Sequence, residues 1–214
     1  KINDQNADLV VFAGDIFDNE YEAVQNPDRI AKTLAGIKSR YGSFGVFGNH
    51  DVTERLLGGF SVASQAKEMR DPQFAKKAKI RFLDDEVMLI DDAFYLVGRK
   101  DAQKPGDGTK NRMEPEVILS GLDKDKPIIV LEHQPKQLKE LETAGADMQL
   151  CGHTHDGQMF PGNLTVKLMW ENACGYLKKG NLHSIVTSGV GVWGPAMRVG
   201  TDCEICPITI HFQG

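Results

Sequence analysis

The stretch Leu9-Val10-Val11-Phe12-Ala13-Gly14-Asp15-Ile16-Phe17-Asp18 sets the architecture. Its first five residues are continuously apolar, the pattern of a strand buried on both faces. The run ends at a glycine and a carboxylate. Open α/β sheets place ligand-binding groups just beyond the C-terminal ends of such strands. Pro27 and Asp28 then open a helix, predicted from Asp28 to Ser39, with Ile30, Leu34 and Ile37 on one face. Ser43-Phe44-Gly45-Val46-Phe47 reads as a second short strand and runs into Gly48-Asn49-His50-Asp51. Strand, helix, strand in this order is a βαβ unit. It implies an α/β protein built on a mainly parallel sheet.

Working outward, Val62 to Arg70 is predicted as a helix, and Ile80 to Leu83, Val87 to Ile90 and Phe94 to Val97 as strands. The pairs Asp84-Asp85 and Asp91-Asp92 punctuate these strands as solvated turns. Lys100 to Arg112, with Pro105, Gly106 and Gly108, reads as a loop beside a site. Met113 to Leu122 reads as a short helix. Pro127 to Leu131 is again a continuous apolar strand, and it delivers Glu132-His133-Gln134-Pro135. Pro135 is expected to open a helix reaching about Thr143. Met148 to Cys151 is a strand ending in Gly152-His153-Thr154-His155, and a glycine-rich loop follows through Gly162. Ser184 to Thr187, Ala196 to Val199 and Cys203 to Ile210 are predicted strands. Ser188 to Gly194 is a loop whose glycines let the backbone pass close to a neighbour.

The chain has 214 residues, 41% of them hydrophobic and 26% charged, as expected of one globular domain. Its net charge of −5 gives no general electrostatic grip on nucleic acid or anionic membrane. No apolar run approaches the roughly 20 residues that span a bilayer. Four cysteines are scattered, and Cys203-x-x-Cys206 alone cannot close a tetrahedral zinc site.

Four strand ends carry metal-ligand side chains: Asp15, Asn49 with His50, His133, and His153 with His155. Packing asks for apolar groups at such positions, and clustered polar groups there need partners. Coordination supplies them. Carboxylate, amide oxygen and imidazole together suit Mn, Fe or Zn, and a bridging carboxylate with ligands on either side suits a pair of ions.

The order Gly-Asp-x-x-Asp, Gly-Asn-His-Asp, His, Gly-His-x-His resembles the calcineurin-like metallophosphoesterase superfamily. Gly152 to Gln158 with Pro161, and Gly189 to Glu204 with Arg198 and Gly200, are similar to its bacterial single-domain phosphohydrolase branch. Asp156 stands where that branch usually has glycine. The resemblance implies a four-layer α/β/β/α sandwich of two mixed sheets flanked by helices, forming a single domain over residues 1–214. It implies two divalent ions that hydrolyse a phosphodiester or phosphomonoester through a metal-activated hydroxide. Asp15 would bridge the ions. Asn49, His133 and His153 would complete one site, and His155 would serve the other. His50 would act on the scissile phosphate, oriented by Asp18.

The family's opening strand, with its Asp-x-His ligands, has no match in Lys1 to Ala13. This points to an N-terminally truncated domain without its first strand, with one metal site weakened. An anchor or signal, and hence membrane-associated or extracytoplasmic location, would belong to that earlier segment. The substrate class stays open between a phosphorylated small molecule and a lipid-linked one. Alternatives are a pyrophosphatase acting on a nucleotide-linked lipid precursor, a nuclease, and a non-catalytic metal-binding scaffold. The retained His50 argues against the scaffold, since it would have no ligand role.

Overall fold

The computed structural model describes residues 1–17, 24–51, 55–57, 60–62, 72–103 and 112–211. The opening stretch forms β1 (Val10–Ala13), followed by α1 (Pro27–Leu34) and β2 (Ser43–Val46). β1 and β2 pair in parallel, with Val10 opposite Ser43 and Ala13 opposite Val46, as a βαβ unit requires. α2 (Pro72–Ala78) leads to β5 (Ile80–Phe82), which adds to the other side of β2, again in parallel. Between them, β3 (Arg55–Leu57) and β4 (Phe60–Val62) make a separate hairpin.

The second sheet has six strands in the order β10-β11-β9-β8-β7-β6. They are β6 (Glu86–Ile90), β7 (Phe94–Gly98), β8 (Ile128–Leu131), β9 (Met148–Cys151), β10 (Gly175–Lys179) and β11 (Leu182–Val186). The four central strands run parallel, and the edge strands β6 and β10 are antiparallel hairpin partners of β7 and β11. α3 (Pro115–Ile118) and α4 (Leu138–Ala144) cover its outer face.

Three apolar clusters define the layers. Phe44 and Val46 of the first sheet pack against Leu96, Ile129, Leu131 and Leu150 of the second, so one core lies between the sheets. Val97, Ile128 and Val130 point the other way, against Ile118, Leu138 and Leu141 of α3 and α4. Ala31, Phe74 and Ala78 of α1 and α2 pack on Ile80. Helices, sheet, sheet, helices is the expected four-layer order. All four residues of β8 are buried because alternate side chains serve the two middle cores.

Several elements depart from the sequence reading. Val62 lies in β4, not in a helix, and the rest of the predicted helix to Arg70 lies outside the described residues. Most of the Lys100 to Arg112 loop lies outside them as well. α4 begins at Leu138 because Gln137, just before it, takes a left-handed conformation. Ala196 to Val199 contributes only a single bridge, Val199 with Met159. Cys203 to Ile210 pairs with no strand among the described residues and is mostly exposed. Alternating apolar character can suggest a strand there, but a strand also needs a neighbour to bond. Conversely, α5 (Gly162–Met169) and β10 occupy segments to which the sequence pattern assigned no element.

Candidate metal centre

Every ligand candidate sits where a parallel strand gives way to a loop. β1 ends at Ala13, and Asp15 follows with a φ of 53°. That left-handed backbone is unusual for a carboxylate residue. Asp51 holds it in place. Its Oδ2 accepts from the backbone N–H of Asp15 at 2.8 Å and of Gly48 at 2.8 Å. Its Oδ1 accepts from Ile16 at 2.9 Å and Phe17 at 3.1 Å. Both loops are thus tied to one buried carboxylate. Burial lifts the Asp51 carboxyl to about 6, against the pull of those N–H donors and with the Asp15 charge adding to the lift. Glycine is needed at position 48 for space, since a Cβ there would lie 2.1 Å from Asp15 Oδ1.

His133 reaches across from the second sheet. Its Nδ1 lies 2.7 Å from the carbonyl oxygen of Ala13. A carbonyl only accepts, so Nδ1 carries the proton and Nε2 of the neutral ring offers a lone pair. Around that Nε2 stand Asp15 Oδ2 at 2.9 Å, Asn49 Oδ1 at 3.0 Å and His153 Nδ1 at 3.1 Å. Three side-chain atoms therefore crowd one imidazole nitrogen, where a single proton can serve only one contact. A cation satisfies all of them, and the donor set fits a borderline divalent ion. The Ala13 carbonyl is the outer partner that fixes a ligating imidazole's tautomer.

Burial pushes Asp15 upward, but the bond to His133 and its charge outweigh this and leave Asp15 below the usual carboxylate range. Burial likewise lowers His133, and Asp15 outweighs it, so His133 ends above its ordinary value. His153 is pulled down to about 4 by burial, with His133's charge adding to the effect. It stays neutral and able to ligate across the physiological range. Its ring packs edge-on against Trp170, with centroids 5.2 Å apart.

Two further candidates lie beside this centre. His50 donates its backbone N–H to Asp15 Oδ1 at 2.9 Å, so the histidine is held next to the carboxylate. His155 is partly buried and lies outside the convergent set. Its carbonyl accepts from Arg198 Nη1 at 2.9 Å, and its Nδ1 lies 3.4 Å from Arg198 Nη2. Burial and then that guanidinium lower its pKa. Asp18 lies outside the described residues.

Sequence reasoning gave Asp51 no role, although it closes the Gly-Asn-His-Asp motif. A carboxylate directly after a ligand loop is the available signal. Arg99, just beyond the end of β7, is fully buried. It donates to Glu132 Oε2 at 2.9 Å, and Arg112 donates to the same oxygen at 2.6 Å. Gln149 donates to Glu132 Oε1 at 2.6 Å and accepts from Ser184 at 2.9 Å. This polar row braces the strands whose ends carry His133 and His153. Arg198 binds backbone carbonyls, including Ser188 and Gly191 at 2.5 and 2.7 Å, and so folds the glycine-rich loop against His155.

The layered fold and this convergent set describe a candidate divalent-metal centre at the strand ends of an α/β sandwich, and comparison with known proteins supplies the class. Residues 1–157 match the family model for calcineurin-like phosphoesterases, and the chain belongs to that family. It is 33% identical over 217 residues to a Danio rerio "transmembrane protein with metallophosphoesterase domain", covering 98% of this chain and 47% of that protein. It is 32% identical to an uncharacterized metallophosphoesterase of Helicobacter pylori strain J99, covering 96% of this chain and 51% of that one. An Aquifex aeolicus metallophosphoesterase is 30% identical over 97% of this chain and 74% of its own length. The chain spans about half the length of the first two relatives. No solved structure matches it. Family membership implies divalent metal ions and a hydrolase.

Proposed function

We propose that this chain hydrolyses a phosphoester bond at a centre held by Asp15, Asn49, His133 and His153, with His155 serving a second ion. The observation that supports this most is the convergence of Asp15 Oδ2, Asn49 Oδ1 and His153 Nδ1 on His133 Nε2. Divalent ions held by these residues would supply an acidified water as nucleophile and neutralise the phosphate oxygens. Asp15 lies between the loop of Asn49 and the second sheet, where one carboxylate can serve both ions. His133 is kept in its ligating tautomer by Ala13. His50 hangs from the loop fixed by Asp15 and Asp51. There it donates a proton to the leaving oxygen, as a general acid must from within hydrogen-bond reach. The substrate class is a phosphorylated small molecule or a lipid-linked phosphoester, since neither the −5 net charge nor any basic stripe favours nucleic acid.

The test is a His50→Ala variant assayed with Mn or Zn on a chromogenic phosphomonoester and a chromogenic phosphodiester. Loss of general-acid chemistry predicts a fall of about 10²–10⁴ in turnover with metal content unchanged. Unchanged turnover would remove His50 from catalysis. A metal-loaded wild-type chain inert toward every phosphoester would favour the scaffold reading.

A further inference from the structure

Beside the convergent set stands a wall that coordination does not use. The His153 ring, whose Nδ1 faces the centre, packs edge-on against Trp170, with centroids 5.2 Å apart. The Lys136 ammonium lies over the same indole, 5.5 Å from its centroid. Contacts therefore run unbroken from Asp15 through His133, His153 and Trp170 to Lys136. Lys136 and Trp170 are both half-buried.

The two residues come from separate loops, and both backbones are pinned. Lys136 follows His133 by three residues, beyond the end of β8. Its carbonyl accepts from Gln149 Nε2 at 3.1 Å, and its N–H donates to the Gln134 carbonyl at 2.8 Å. Trp170 directly follows α5 and donates its N–H to the Val166 carbonyl at 3.0 Å. Three residues on, the Ala173 carbonyl accepts from Thr154 Oγ1 at 2.5 Å, which ties this segment to the histidine loop.

The Lys136 ammonium has no ion-pair partner among the described residues. Glu132, Glu140, Asp156 and Glu171 flank the two residues in sequence, and none of them pairs with it. Glu132 is taken by Arg99 and Arg112, and Glu171 by Lys179. Elsewhere in this acidic chain Lys77, Lys126, Lys139 and Lys179 each meet a carboxylate. An indole face attracts the charge of an ammonium, but the three N–H donors still call for oxygen acceptors. Lysine binds phosphate as a point charge. The position selects which phosphate. The scissile group belongs at the convergent set, whereas Lys136 stands outside it, beyond His153 and Trp170. It is placed for a group joined to the scissile phosphate rather than for that phosphate itself.

We propose that Lys136, seated on Trp170, forms a subsite for a second phosphoryl group, so that the preferred substrates carry two linked phosphates. This rests on the phosphoesterase reading above and narrows its substrate class.

The experiment is calorimetry of the zinc-loaded 214-residue chain with methylphosphonate and methylenediphosphonate, whose P–C bonds keep turnover out of the measurement. Zinc content is determined before and after each titration. The wild-type chain should prefer the diphosphonate. Lys136→Met and Lys136→Gln should each cut that preference at least about tenfold, the value of a charge-assisted contact. Lys136→Arg should keep most of it. Lys38→Met, which removes an exposed charge ahead of β2, should leave it unaltered. Unchanged urea midpoints show that each variant is folded. Lys136 variants that keep their zinc and the wild-type preference overturn the subsite and leave the metal centre standing. A wild-type chain that takes up no zinc overturns the phosphoesterase reading, and the subsite with it.

Discussion

Asp51 is the most sensitive point in the centre that touches no ion-binding atom. Asp51→Ala strips four backbone N–H groups of their acceptor, those of Asp15, Ile16, Phe17 and Gly48. A buried donor left unpaired costs about 1–3 kcal/mol, and partial relaxation of the loops recovers some of this, so a net loss of about 3–5 kcal/mol follows. Asp51→Asn separates charge from shape. Its single oxygen can serve two of the four donors, while its amide group faces the other two. A loss of about 2–3 kcal/mol is expected there. With a urea m-value of about 3 kcal/mol/M for a chain of this size, the alanine midpoint falls by about 1 M or more. Metal affinity falls as well, because Asp15 loses the clamp that holds its left-handed backbone. Outer partners of ligands are worth about 10–100-fold in affinity. Urea titration at pH 7.5 and Mn binding by calorimetry measure both effects. An alanine variant with the wild-type midpoint and the wild-type affinity would refute the clamp.

Three other perturbations probe separate parts of the same framework. In the chelator-treated chain, His153 stays neutral down to about 4 while its unfolded form takes a proton near 6.5. A histidine with a depressed folded value loses stability for the fold as pH drops through that window, by about 2 kcal/mol between pH 7 and 5. His153→Asn should flatten that part of the slope in urea midpoints, and an unaltered slope would show that His153 is not its source. Glu132→Gln leaves the guanidiniums of Arg99 and Arg112 without their shared carboxylate in a dry site. A loss of about 3–5 kcal/mol is expected, readable as a lowered melting temperature. A fully stable variant would show that water reaches the pair. Gly48→Ala places a Cβ against Asp15 Oδ1. The chain should fold yet bind Mn at least about tenfold more weakly, as for a displaced ligand. Tight binding by the variant would mean the loops part without strain.

The parallel strands were legible because their side chains serve two cores at once and so leave continuous apolar runs, as in Ile128 to Leu131. The candidate ligands stand out in the sequence because each follows such a run. What escaped reading depends on neighbours that no local pattern encodes. Pro135 looks like a helix start, but the left-handed Gln137 delays α4 by three residues. The last apolar stretch, Cys203 to Ile210, has strand composition but no ladder partner among the described residues. α5 was hidden by the glycines and proline around it and by an amphipathic face that no core absorbs. The burial of Arg99 has no local signal because it depends on Glu132 and Arg112, which come from other segments of the chain. The convergence of Asn49, Asp15 and His153 on one imidazole nitrogen is a fact of three dimensions, although each of those residues could be named from its motif.

The contact between His133 Nδ1 and the Ala13 carbonyl joins residues 120 apart in the chain and spans both sheets. The site is therefore a product of late assembly. During synthesis Asp15 and Asn49 emerge early, yet neither can meet His133 until β8 has docked, nor His153 until β9 is in place. Metal capture in the native geometry then certifies that the two halves have met. An ion supplied too soon meets only loose carboxylates, and one supplied after closure locks a seam that is already formed.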